Sequence, residues 1–462
     1  MDIPCLLSTA ALRAPLETAL SGPGVEVPYG ELDRLVSGAA RRMAEKGVGR
    51  GDRIALIMDR SVEAVILLLA AMRAGAVACP ISMRLPEATV AGRCRNLGVS
   101  LTVGDRPLEA AVAAKDLIER GRGNVPPFSE DAPATIVFTS GSSGAARPAL
   151  HTYGNHYFSA LGAQDNMPLA CGDRWLLSLP LWHVGGLAIL FRCLLAAATV
   201  ILPDPADSLA ASVRKVTHAS MVSTQLRRLL REAESGAVHP EKALLLGGGA
   251  VSPVLIDEAV RRGLPVHTSY GLTEMASQVT ATPPGAGPVA LRTSGRVLPW
   301  RELRCDEAGQ IMVRGRTCFA GYIEGDRLAR PFDEEGWFAT GDMGRLDASG
   351  RLIVRGRMDH LLISGGENIL PEEIEVVLAG VEGVERVVVV GVQDEEYGQR
   401  PVAFVGTADG EIDASRLRAA VEAVLPRFMT PDAFYPWPTD LAGEGLKPDR
   451  SLLRQRAEAL QA

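Results

Sequence analysis

Short apolar runs alternate with amphipathic helical segments through most of this chain, and that alternation constrains its fold more than any other feature. Over 31–46, Leu32, Leu35, Val36, Ala39, Ala40 and Met43 recur at helical spacing, and Gly47 follows where a helix would be capped. "DRIALIM" then reads as a strand, "SVEAVILLLAAMRAG" as a helix and "AVACPI" as another strand. The pattern returns in "ATVIL", "HASMV", the helix "TQLRRLLREAES", "KALLLGGG", the helix "PVLIDEAVRRG" and "PVHTSYG". Strands this short and apolar, taking turns with helices, imply mainly parallel sheets covered by helices on both faces, an α/β fold.

After about Thr282 the texture changes. "PPGAGPVALRTSGRVLPW" is rich in Pro and Gly, and "RELRCDEAGQIMVRG" and "GRLDASGRLIVRGR" alternate like antiparallel strands, so a β-rich subdomain is expected. Beyond Arg357, "HLLISGG", the helix "LPEEIEVVLAG", "VERVVVVGV", "PVAFVG" and the helix "ASRLRAAVEAVL" form an α+β unit of domain size. The expected division is a large N-terminal domain, 1–356, and a small C-terminal domain, 357–462.

Composition excludes several classes of partner. Net charge is −7 and no basic cluster is dense enough to follow a phosphate backbone, so nucleic acid is not an expected partner. The most apolar runs are interrupted by Arg73 and Arg192, which argues against membrane spans. Seven scattered cysteines without a CxxC pair suit reduced thiols in the cytoplasm better than disulfides or structural zinc. The N-terminus lacks the basic region of a signal peptide. Only five lysines occur among 48 basic residues, so a lysine here carries information.

Five stretches concentrate chemistry. "TIVFTSGSSGAARPAL" follows an apolar strand with Thr139, Ser140, Gly141, Ser142, Ser143 and Gly144, then Arg147. Glycines let backbone approach a ligand and hydroxyls add donors, a phosphate-wrapping composition that equally suits a tight turn. It is not a Walker A loop, because no Gly-Lys-Ser/Thr follows. "TSYGLTE" sets Tyr270, Thr273 and Glu274 at a strand end, where open α/β sheets bind ligands. Tyr270 suits base stacking, Thr273 a phosphate and Glu274 Mg2+; alternatively Thr273 caps a helix. Asp342 in "WFATGDMG" suits a ribose diol or a surface turn. Arg357 and Asp359 in "GRMDHLLISGGENILPEE" sit at the domain boundary before Gly365 and Gly366, and Lys447 lies in the late loop "LAGEGLKPDR".

Taken in order, these stretches resemble the superfamily of AMP-forming adenylating enzymes, and the resemblance runs from "VPYGELDRLVSGAARRMAEKGVGRGDRIALIM" onward. It implies an enzyme using ATP, Mg2+ and coenzyme A, in which the hydroxyl-rich loop embraces the β- and γ-phosphates. The resemblance further assigns Asp342 and Arg357 to the ribose, Tyr270 with Gly248, Gly249 and Ala250 to the adenine pocket, and Lys447 to the acyl carboxylate and α-phosphate. It makes Asp359 the hinge of a mobile C-terminal domain and places Gly365 and Gly366 along the pantetheine path. Where the family loop commonly ends Pro-Lys-Gly, this chain has Ala146-Arg147-Pro148, which keeps the charge and changes its shape.

Within the superfamily, "ALHTYGNHYFSALG", "RWLLSLPLWHVGGLAILFRCLLAAATV" and "THASMVSTQLRRLL" are most similar to the o-succinylbenzoate–CoA ligases of menaquinone biosynthesis. The implied partner is a small-molecule carboxylic acid carrying two acid groups, and a charge inside "GGLAILFRCLLAAATV" is costly unless paired. Arg192 is therefore the expected contact for the second carboxylate, with Ser220 and His183 as further pocket residues; a snorkelling arginine and a packed histidine are the alternatives. His151 and His156 read as structural. Another aryl or medium-chain acid, a carrier-loading enzyme and a silent nucleotide-binding homologue also fit, and a homo-oligomer is as compatible as a monomer.

Overall fold

Helix Val62–Arg73 is buried from Ala64 to Met72. A helix apolar on every side has to be covered on every side, and this one lies among helix Tyr29–Glu45 and the strands Arg53–Ile57 and Val77–Pro80. Its start is fixed by Ser61, whose hydroxyl accepts from the Ala64 amide at 3.1 Å. Each fully buried Leu, Ile or Val there contributes about 1.5–3 kcal/mol.

The computed structural model describes residues 1–104, 111–123, 125–139, 146–232, 240–407, 410–438, 440 and 449–461. Among them, sheets of nine and seven strands carry the helices, followed by a four-stranded and a five-stranded sheet. In the nine-stranded sheet Thr18–Gly22, Thr199–Ile201, Arg174–Leu176, His218–Met221, Ala243–Leu246 and Val266–Leu272 run parallel. The seven-stranded sheet has a parallel centre of Leu101–Gly104, Arg53–Ile57, Val77–Pro80 and Pro133–Phe138.

Both sheets finish with antiparallel strands. Ser277–Ala281 pairs with Val266–Leu272, and Pro148–Thr152 pairs with Pro133–Phe138. The second pairing brings the two flanks of the hydroxyl-rich stretch side by side, and beyond its last pair, Phe138–Pro148, the Thr139 amide donates to the Arg147 carbonyl at 2.9 Å.

The β-rich region is an antiparallel sheet of Arg301–Cys305, Gln310–Gly315, Phe338–Leu346 and Leu352–Arg357. After the 3-10 turn Met358–His360, a second core forms around Leu362, Ile369, Ile374, Leu378, Val389, Ala403 and Val405. Helix Pro371–Leu378 covers that sheet, and helix Arg450–Gln461, which the sequence pattern did not mark, packs on strand Val384–Asp394. Arg450 fixes its start by donating to the Val389 carbonyl at 2.6 Å and pairing with Glu375 at 2.7 Å. Burial pushes the Glu375 carboxyl up, while the Arg450 guanidinium draws it down.

Candidate active site

Strand Val266–Leu272 ends at the 3-10 turn Thr273–Met275, and the chain reverses through Ala276 at φ 51° into Ser277–Ala281. Thr273 therefore caps no helix; the turn's N-cap residue is Leu272, and its side chain makes no capping bond. The turn is pinned from behind. His151 lies 2.7 Å from the Thr273 carbonyl through Nε2. A carbonyl only accepts, so the proton sits on Nε2. Burial pushes this imidazole down to about 4, keeping it neutral, and its Nδ1 is buried without a partner among the described residues. His156 is equally buried, bonded to Thr135 at 2.8 Å and stacked on Phe191. Both histidines are buried among core residues, at the two positions the sequence reading left as structural.

Glu274 is buried at 9 % exposure. Its carbonyl accepts from the Phe319 amide at 2.8 Å, and its Oε1 accepts from the Tyr322 hydroxyl. Arg147, at the exit of the hydroxyl-rich loop, donates to the same hydroxyl at 3.0 Å, and its guanidinium lies 3.9 Å over the Tyr322 ring. Thr139 is buried at the loop's other end. Ser140, Gly141, Ser142, Ser143 and Gly144 lie outside the described residues, as does Lys447.

Asp342 meets the same region from the four-stranded sheet. It lies within strand Phe338–Leu346, where the sequence suggested a loop, beside a register irregularity between Met343 and Gly344. Its Oδ2 accepts from Tyr270 at 2.6 Å and its Oδ1 from Arg357 at 3.0 Å. Burial, reinforced by the Asp342 carboxylate, raises the Tyr270 hydroxyl well above its ordinary value, so it stays a donor. Arg357 also reaches Asp359 at 2.9 and 3.2 Å. Burial works against the guanidinium's charge, yet the bonds to Asp359 and the Asp342 carboxylate raise its affinity for its proton. Burial likewise opposes the charge on Asp359, and Arg357 holds that carboxyl below its usual range.

Gly248, Gly249 and Ala250 are exposed beyond the C-terminal end of strand Ala243–Leu246, with Ala250 accepting from the Ser223 hydroxyl at 2.8 Å. Gly365 and Gly366 form the two-residue turn of the hairpin joining Leu362–Ser364 to Glu367–Ile369. Both have positive φ, 59° and 87°, as the turn type requires. The Gly365 amide donates to the Tyr397 carbonyl at 2.9 Å.

The third cluster lies behind the strands. Arg192, 4 % exposed in helix Val184–Ala196, donates to Gln278 Oε1 at 2.6 Å and lies 5.3 Å from the Trp175 ring. Trp175 donates in turn to the Ser220 hydroxyl at 3.2 Å. Burial pushes Arg192 down to about 10; no carboxylate pairs with it among the described residues. Its Nε and the Gln278 Nε2 are buried without partners there. Arg301 stands alongside, donating to the backbone carbonyls of Gln278, Pro299 at 3.0 Å and Ser159 at 3.3 Å. His183 stands at the N-terminal boundary of the Arg192 helix, near Trp182.

Tyr270, Asp342, Arg357 and Asp359 thus form one bonded cluster, Arg147 and Glu274 a second, and Arg192 with Ser220 a third. Sequence reasoning missed Tyr322, Gln278 and Arg301, because none lies in a stretch whose composition departs from ordinary core. The Gly-Tyr pair at 321–322 was the available signal.

Comparison with known proteins identifies the family. Residues 7–323 match the AMP-binding enzyme family and residues 373–441 the C-terminal domain of AMP-binding enzymes. A 2-succinylbenzoate–CoA ligase of Listeria monocytogenes is 31 % identical over 431 residues, covering 90 % of this chain and 92 % of that protein. Two structures of Bacillus subtilis o-succinylbenzoate CoA synthetase are similar to this fold. The complex with the acyl-adenylate intermediate OSB-AMP has a TM-score of 0.89 at 28 % identity, covering 98 % of each chain. The complex with ATP and magnesium ion has a TM-score of 0.88 at 29 % identity, covering 98 % of this chain and 100 % of that one. On the family match and the full-length likeness, this chain belongs to the AMP-binding enzyme family, with the large N-terminal and small C-terminal domains of its structures.

Proposed function

We propose that the acid activated by this adenylate-forming acid–CoA ligase is o-succinylbenzoate, and that the enzyme acts in menaquinone biosynthesis in the cytoplasm. Arg192 carries this reading. A cation inside an apolar helix, with its Nε and the adjacent Gln278 Nε2 lacking partners among the described residues, suits an anionic group arriving with the substrate. A diacid leaves one carboxylate for Arg192 and presents the other for activation. The Listeria and Bacillus relatives, whose names specify this acid, support the same choice.

In the first step a carboxylate oxygen bonds to the α-phosphorus of ATP, the bond to the bridging oxygen breaks, and pyrophosphate leaves. Negative charge gathers at both ends of that displacement, and fixed donors have to meet it. Thr139, Ser140, Ser142, Ser143 and Thr273 supply hydroxyls, Gly141 and Gly144 admit backbone amides, and Arg147 brings a cation to the loop exit. Glu274 is an oxygen donor suited to Mg2+, which commonly takes one or two carboxylates plus substrate phosphates. Bound there, the ion neutralises phosphate charge. Asp342 and Arg357 hold the ribose. Tyr270 with Gly248, Gly249 and Ala250 holds the adenine, and Lys447 bridges the acyl carboxylate and the α-phosphate as a compact ammonium.

In the second step the coenzyme A sulfur attacks the acyl carbonyl, the thiol proton is released, and AMP leaves. The two steps need different groups in one site. Rotation of the C-terminal domain, 357–462, about Asp359 withdraws Lys447 and brings Gly365 and Gly366 to the pantetheine path. His183 and Ser220 line the acid's binding site.

Thioester formation with o-succinylbenzoate and with monoacids, followed by mass spectrometry, tests the substrate. Arg192→Ala should raise KM for the diacid about 10–100-fold, the range expected for losing a hydrogen bond to a charged group, and spare monoacids. Equal losses for both classes would refute the assignment.

A further inference from the structure

We infer that Tyr322 is a positioning residue that joins the phosphate loop to the metal-binding carboxylate, so that Arg147 and Glu274 act as one preorganised unit. The inference rests on the nucleotide-site reading above and goes beyond it by assigning a role to a tyrosine outside the recognised motifs.

Tyr322 is 2 % exposed in strand Gly321–Glu324, which pairs with strand Pro148–Thr152 at Tyr322–Ala149. The strand leaving the phosphate loop therefore lies beside the tyrosine. On its other side the tyrosine's strand pairs with Arg327–Ala329. Gly321 has φ 143°, and a Cβ there would lie 2.3 Å from the Ala329 carbonyl, so only glycine lets those two strands pair this closely.

The ring and the hydroxyl do different work. The ring carries the Arg147 guanidinium at 3.9 Å, a contact that uses the flat, weakly hydrated cation of arginine and that an ammonium reproduces poorly. The hydroxyl takes a hydrogen bond from Arg147 at 3.0 Å and gives its own proton to Glu274 Oε1. The Phe319 amide meanwhile fixes the Glu274 backbone from the same segment. No other side chain bonds to the Glu274 carboxylate among the described residues, so the phenol alone sets its rotation there. A carboxylate held by one oxygen presents the other in a fixed direction, as partners behind metal ligands do elsewhere.

The arrangement also explains how the loop tolerates arginine at 147. The longer, planar side chain is laid flat on Tyr322, which keeps its charge at the loop exit.

Tyr322→Phe keeps the ring and removes the hydroxyl. Calorimetric ATP binding across a series of free Mg2+ concentrations should show the half-maximal Mg2+ requirement rising about tenfold, the low end for losing a second partner behind a metal ligand. Thioester formation from preformed acyl-adenylate should stay within about twofold of the parent rate. Arg147→Lys should raise the Mg2+ requirement too, and the double variant should show less than the product of the single effects. If Tyr322→Phe loses its cooperative unfolding transition, Arg147→Lys alone carries the test.

An unchanged or lower Mg2+ requirement would overturn the inference, as would equal loss in both half-reactions or strictly multiplicative effects. If the unaltered protein itself shows no Mg2+-dependent ATP binding, the nucleotide-site reading fails instead.

Discussion

Tyr270 and Asp342 lie 72 positions apart on strands of two different sheets, and the phenol donates to the carboxylate across 2.6 Å. Arg357 takes the other oxygen at 3.0 Å, so the carboxylate is clamped between the end of the parallel sheet and the last strand of the antiparallel one. The proposed nucleotide site thus lies where the two sheets meet.

That clamp makes Asp342→Asn informative. The side chain keeps its size and loses the charge that holds Arg357. Loss of a charge-assisted bond, worth about 1.5–3 kcal/mol, should raise the KM for ATP about 10–100-fold with a smaller change in kcat. Steady-state kinetics decide, and a KM within about twofold of the parent would contradict the ribose assignment.

Lys447→Ala should separate the two half-reactions. An ammonium at the α-phosphate matters only while pyrophosphate leaves, so adenylation should fall about 10²–10³-fold, the scale of losing one oxyanion donor. Transfer from a preformed acyl-adenylate should be nearly unchanged. Equal losses in a single-turnover comparison would remove Lys447 from the proposed role.

The two buried arginines should respond differently. Arg301 satisfies backbone carbonyls of Gln278, Pro299 and Ser159, and Arg301→Met strands them, costing about 1–3 kcal/mol for each carbonyl left unpaired. Arg192 bonds to one side chain and has no carboxylate partner among the described residues. Arg192→Met strands one acceptor, the Gln278 side-chain oxygen, but also removes a buried charge without a carboxylate partner among the described residues, so stability should change little while KM for the diacid rises. Urea unfolding checks both, and a destabilised Arg192→Met protein would contradict the account.

The molecule should lose stability in mild acid. Burial lowers His151 and His218 to about 4 and also lowers His156 and His267. The unfolded chain takes up these protons near pH 6.5, whereas the native chain resists them. Between about pH 6.5 and 4 the unfolded state binds more protons, so stability falls as pH falls. The depressed Asp359 carboxyl extends the loss to lower pH. The urea midpoint should drop between pH 7 and pH 5, more shallowly in His151→Gln; a constant midpoint would contradict this.

Much of the fold was legible because periodicity reports burial directly. Helix Val62–Arg73 and strands Arg53–Ile57, His218–Met221 and Ala243–Leu246 fall where the apolar pattern puts them. The pattern did not reveal the direction of Pro148–Thr152, since an apolar strand reads the same in either sense. Helix Arg450–Gln461 escaped notice because few of its residues are buried. At the site, Tyr270, Asp342 and Arg357 stood out as motif residues, and the structure brings them into one hydrogen-bonded cluster. Tyr322 did not, because a tyrosine between apolar neighbours looks like core until the carboxylate it meets is known.

ATP–pyrophosphate exchange with Mg2+ and o-succinylbenzoate tests the central claim most directly, because it reports reversible formation of the acyl-adenylate without coenzyme A. The account predicts exchange that requires the acid, is strongest with the diacid and collapses in Lys447→Ala. Absence of exchange with any carboxylic acid, from a folded protein that binds ATP, would contradict it.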